Sequence, residues 1–159
     1  MTPAPPTGLR FLGHPVHVML IHFPVALWPA HFALHVFAHI LPAAVSAIGG
    51  FWLLAAGTIL GWLAAGCGAL DLFAIWSSPD DGSRRPATIH ACVNGSVLAG
   101  FTILAALEYN HYPAIQPTAA FLAVEAVLLL AMFVGNHFGG DVVWRDPPRG
   151  DSVPPGQTR

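Results

Sequence analysis

Apolar residues fill the chain in long runs, and histidine is the commonest polar residue inside those runs. From Phe11 to Leu70 there is no Asp, Glu, Lys or Arg. That stretch is far longer than the roughly 20 apolar residues one membrane crossing needs. Pro42 and the Gly49-Gly50 pair divide it, so it reads as two helices, about residues 16–41 and 49–76. Two further runs, about 88–111 and 117–139, are interrupted only by Glu108 and Glu125. Backbone groups in lipid must find partners within the protein, which makes each run an α-helix. The pattern predicts an all-α fold, an integral membrane four-helix bundle over residues 13–140. Residues 1–12 and 141–159 flank it.

Charge adds an orientation. Only 9% of the residues are charged, against roughly 25% in an ordinary soluble domain. The positive ones are all arginines and sit in three places: Arg10 before the first span, Arg84 and Arg85 between the second and third, and Arg145, Arg149 and Arg159 after the fourth. With four spans these segments share one side, and by the positive-inside rule both termini are cytoplasmic in a multi-pass protein. No basic patch suits a nucleic acid. Residues Met1–Gly8 lack the basic start of a cleavable signal peptide. Cys67 and Cys92 lie inside spans, without metal-knuckle spacing, and read as small buried residues. No nucleophile motif, phosphate loop or dinucleotide fingerprint is present, so the chain reads as having no enzymatic activity of its own, or as a subunit of an oxidoreductase.

The histidines change the picture. His14, His17 and His22 stand at the opening of the first span, and His31, His35 and His39 follow along it. At about 100° per residue, His17, His31, His35 and His39 point within about 40° of one direction, His14 within about 60°, and His22 some 140° away. On the third span His90, Asn94, Phe101 and Glu108 share a stripe. Ionisable groups in a bilayer are costly and face the bundle interior, so the two stripes are expected to face each other or a cofactor between them. Depth sorts the polar residues into two groups. His14, His17, Asp71, His90, Asn94 and His137 gather at the cytoplasmic face. His31, His35, His39, Glu108, His111 and Glu125 occupy the opposite half. On the second span Gly57, Gly61, Gly66 and Gly68 offer close helix packing or room for a flat ligand.

Four stretches resemble a known family. "GHPVHVMLIHFPVAL" opens the first span, "AAGCGALDLF" ends the second, "IHACVNG" opens the third and "GNHFGGDVVWR" closes the fourth. Over residues 13–146 the chain resembles the four-span bacterial membrane family catalogued as domain-of-unknown-function 2231. The resemblance implies a small protein of the bacterial inner membrane, in a redox setting, because some relatives are joined to Rieske-type or cytochrome-type modules. It carries over to His14, His17, His22, Asp71, His90, Asn94, Gly139 and Gly140. The tail departs from the family pattern, with "RDPPRG" after Trp144.

Three chemistries fit these residues. In the first, the protein binds haem b for electron transfer, with His17 and His90 as axial imidazoles from facing helices at one depth. His22 is the rival ligand, and His14, Asp71, Asn94 and His137 surround the site. A second haem would use His31 or His35 with His111. In the second, the site is a non-haem centre or metal pathway for zinc, iron or copper. One set is then His14, His17, Asp71, His90 and His137, and another is His31, His35, Glu108 and Glu125. In the third, no cofactor binds, and the polar residues lock helices in an accessory subunit of a larger complex. The partners expected are the lipid bilayer, a second copy of the chain or redox subunits of Rieske or cytochrome type, and a quinone.

Overall fold

The computed structural model describes residues 8–78, 82–114 and 117–145. Four helices, α1 (Val16–Val36), α2 (Gly50–Ser77), α3 (Arg84–Tyr109) and α4 (Ala119–Arg145), form an up-and-down bundle. Each is long and apolar enough to cross a membrane. α1 starts, α2 ends, α3 starts and α4 ends at one end of the bundle, called here the terminal end. The other end, with the α1–α2 and α3–α4 connections, is the far end. α1 packs mainly on α2 and α3 mainly on α4, while α2 also meets α3, and α1 and α4 touch only slightly.

The residue distribution is that of a protein in lipid. Phe23, Trp52, Ile59, Leu63, Phe73 and Phe133 face outward and are more than 45% exposed, a surface that water would not tolerate on this scale. Indole N–H groups on the outer face still need acceptors. Trp62 Nε1 donates to Thr102 Oγ1 at 3.1 Å, and Trp76 Nε1 to Thr88 Oγ1 at 3.2 Å, each tying α2 to α3. Inside, Trp28, Leu54, Leu98, Phe101 and Met132 form the apolar core.

Helix boundaries follow local chemistry. α1 leaves regular geometry at Phe37, and the chain continues through single turns such as Ala38 N–H to His35 O and Leu41 N–H to Phe37 O. Pro42 then prevents continuation, since it has no N–H and disfavours helix at the residue before it. Gly49 and Gly50, read from sequence as part of that break, are helical instead. Residues Ala44–Gly49 form a π-helical segment that runs directly into α2. α3 begins at Arg84 because Pro86 is compatible with a first turn, where backbone donors lack partners anyway. Before α1, β1 (Arg10–Phe11) and β2 (His14–Pro15) make a short hairpin. Its turn has positive φ at both Leu12 and Gly13, as a two-residue hairpin turn requires.

Candidate metal centre

In the far half of the bundle, three helices deliver four ionisable side chains to one point: His31 and His35 from α1, Glu108 from α3 and Glu125 from α4. The i, i+4 spacing stacks the two imidazoles on one face of α1, with ring centroids 4.1 Å apart. All four residues are at most 2% exposed. α2 contributes backbone: Gly50 lies against both imidazoles, and its carbonyl accepts a hydrogen bond from His31 Nδ1 at 3.0 Å. A carbonyl only accepts, so in the neutral ring the proton sits on Nδ1 and His31 Nε2 presents its lone pair to the cluster.

The contacts at the centre are at ion-pair distance. His31 Nε2 lies 2.5 Å from Glu125 Oε1 and 3.3 Å from Glu108 Oε1. His35 Nε2 is 3.5 Å from Glu108 Oε1, and its Nδ1 is 3.2 Å from Glu125 Oε1. Yet His31 Nε2, both nitrogens of His35 and all four carboxylate oxygens are buried without an aligned hydrogen-bond partner. Buried polar atoms are rarely left this way, and each such group calls for a cause. One ligand atom from each residue lies within 4.8 Å of the others. A tetrahedral ion with bonds of about 2.0–2.2 Å has ligand–ligand edges of roughly 3.4 Å, close to the separations present here.

At the terminal end a second arrangement joins all four helices. His17 Nδ1 donates to the carbonyl of Ala64 on α2 at 2.8 Å, and His90 Nδ1 to that of Gly135 on α4 at 2.9 Å. Asn94 adds an amide contact to His90 Nδ1 at 3.1 Å. The two rings meet edge to face with centroids 6.1 Å apart. Gly68 and Gly139 make this possible. A Cβ at Gly68 would lie 2.8 Å from His17 Cε1, and one at Gly139 would lie 2.6 Å from His90 Nδ1. The small residues at this level therefore receive imidazoles, as Gly57 and Gly61 receive Trp28.

The facing polar stripes of α1 and α3 are present, with His17 against His90 and His31 and His35 against Glu108. His14, His22 and His137 are exposed and join neither group. His22 points outward, as its angular offset implies. His39 lies beyond the end of α1 and is exposed. His111, three residues past Glu108, falls after the end of α3. It is exposed, and its Nδ1 donates to Leu107 O of its own chain segment. Asp71 is half-buried at the terminal end, where Gly8 packs against its carboxylate so closely that no side chain fits at that position. Cys67 and Cys92 are free thiols, and Cys92 faces outward.

Sequence comparison places these features in a family. The model for the family described as Predicted membrane protein (DUF2231) matches residues 13–147. The chain belongs to the DUF2231 family. No curated protein and no solved structure matches it. The match takes in all four DUF2231 spans, together with both histidine groups.

Proposed function

We propose that this DUF2231 protein is a membrane metalloprotein that holds one divalent first-row transition-metal ion between His31, His35, Glu108 and Glu125. The observation behind this reading is the set of buried imidazole and carboxylate atoms crowded together without hydrogen-bond alignment. Two carboxylates and two neutral imidazoles carry two negative charges, which one divalent cation neutralises where lipid and protein cannot. Mixed nitrogen and oxygen donors suit zinc or ferrous iron better than calcium, which takes oxygen only, or cuprous copper, which prefers sulfur. The His31 ring, held by Gly50 O, has the outer-shell support that metal-bound imidazoles have. Purified protein is expected to carry one equivalent of zinc or iron by elemental analysis and to lose it to a strong chelator. Metal-free protein that takes up neither ion would refute the reading.

A second reading, haem b between His17 and His90 in an electron-transfer protein, is favoured by the pairing of their rings. Each gives its Nδ1 proton to a helix carbonyl, which leaves Nε2 for a ligand bond. Two imidazoles bound at about 2 Å on opposite sides of one iron have centroids roughly 6 Å apart, near the 6.1 Å found. Against it, Gly68 and Gly139 pack directly on the rings where a porphyrin needs open space. A Soret band in the purified protein would restore it, with redox subunits or a quinone as electron partners.

The arginine distribution supports an orientation with the terminal end in the cytoplasm, within a bacterial inner membrane. Reporter fusions at either terminus are expected to report cytoplasm, and one inserted at residues 43–44 the outside. The opposite pattern would invert every statement of sidedness.

A further inference from the structure

The four helices close the His/Glu cluster very differently on its two sides. Toward the terminal end, the next turns are filled by Trp28 from α1, Leu54 from α2, Phe101 and Leu104 from α3, and Leu129 and Met132 from α4. All six are at most 7% exposed. Trp28 stacks on Phe101 with centroids 4.2 Å apart and planes 15° from parallel. Every helix supplies at least one of them, so this side is a continuous apolar plug. Such packing has no room for a hydrated ion.

Toward the far end the closure is looser: Phe121 of α4 lies against the His35 ring, with centroids 5.9 Å apart, and beside it the bundle leaves a cavity. Ala38 stands three residues beyond His35, and Ala47 three before Gly50, whose backbone touches both imidazoles. With Leu41, Ser46, Pro113 and Ala114 they line that cavity, of about 100 Å³, enough for several waters. Part of its wall is the π-helical segment Ala44–Gly49. π-turns are rare and concentrate at functional sites. Here the segment carries Ser46 and Ala47 of the cavity wall and leads directly into Gly50, which lies against both imidazoles.

We infer that this vestibule is the port of the metal centre: a hydrated divalent cation enters and leaves at the far end, and the apolar plug bars passage to the terminal end. The inference rests on the metal reading of the cluster and gives it a direction. The protein takes up and returns its ion on one side of the membrane. In this form it does not conduct the ion across.

The test uses the full-length protein in detergent, stripped of metal and mixed with zinc alone against a fluorescent zinc indicator. Ala47→Leu fills the vestibule from a residue outside the four ligands, and Ala114→Leu does so from the other wall, should the first variant fold poorly. Filling a port slows both directions alike, so zinc association and release should each fall by about tenfold or more, with equilibrium affinity within about twofold of the parent. Unchanged rates with retained affinity in both variants would overturn the vestibule and leave the metal reading intact. Affinity lost in both variants, with the parent still binding, would also overturn it, because the cavity would then belong to the ligand shell. A parent that binds no zinc or iron overturns the metal reading, and the inference falls with it.

Discussion

Glu125→Ala and His31→Ala are each expected to lower zinc affinity by at least about 100-fold, because losing an outer-shell partner alone costs about 10–100-fold and these residues supply ligand atoms themselves. Glu125 is fully buried and its Oε1 is close to nitrogens of both imidazoles, while Glu108 already gives its own ligand atom to the cluster. The same substitutions separate the metal centre from a plain helix lock. In a lock, removing one partner of a buried ionic pair costs about 3–5 kcal/mol of stability, and removing both partners recovers much of it. In a metal centre, the double variant His31→Ala/Glu125→Ala stays unable to hold zinc even if its fold is recovered. Isothermal titration with zinc and thermal unfolding of the stripped proteins read the two quantities independently. Zinc affinity unchanged in both single variants would remove these residues from the site.

Phe101→Ala is expected to cost about 3–5 kcal/mol, the range for a large aromatic removed from a packed core. Phe101 is fully buried and stacked on Trp28, at the middle of the plug beneath the metal centre. In a bilayer the term lost is chiefly packing, since lipid tails are as apolar as the protein core. A lipid-facing aromatic provides the control. Phe133, 56% exposed on α4, should change stability by no more than about 0.5 kcal/mol on replacement by alanine, as surface positions generally do. Thermal unfolding of both variants in one detergent makes the comparison. Equal losses would show that the Trp28–Phe101 layer is not the packed barrier described above.

The plug and the cluster together explain how α1 can carry so many histidines through a membrane. His17 and His31 each give a proton to a backbone carbonyl of α2, at Ala64 and Gly50. About four helical turns separate these levels, with the apolar core between them. His22 falls between them in sequence but on the opposite face, so it joins neither. The answer to what the imidazoles hold therefore differs along one helix: backbone carbonyls at the terminal end, and carboxylates with a carbonyl at the far end.

Much of this was legible in the chain without coordinates. Absence of charge over residues 11–70, and only Glu108 and Glu125 inside the later runs, demanded four membrane helices, because no other structure satisfies its backbone in lipid. The 100° step per residue put His31 and His35 on one face, and Glu108 on the stripe of α3 that includes His90, since helical period depends on local geometry alone. Which acid or imidazole completed each group was a tertiary matter. Glu108 and His111 are three residues apart, and only the end of α3 at Tyr109 decides that the first turns inward and the second does not. Gly50 looked like a hairpin break, but packing against α1 made it a helical residue whose carbonyl orients His31. Gly68 looked like close packing or space for a flat ligand, but the approach of α2 to α1 gave that space to His17, as Gly139 on α4 receives His90. Periodicity along one helix fixes which residues share a face. Distances and crossing points between helices, set by packing of the whole bundle, decide which faces meet and at what height.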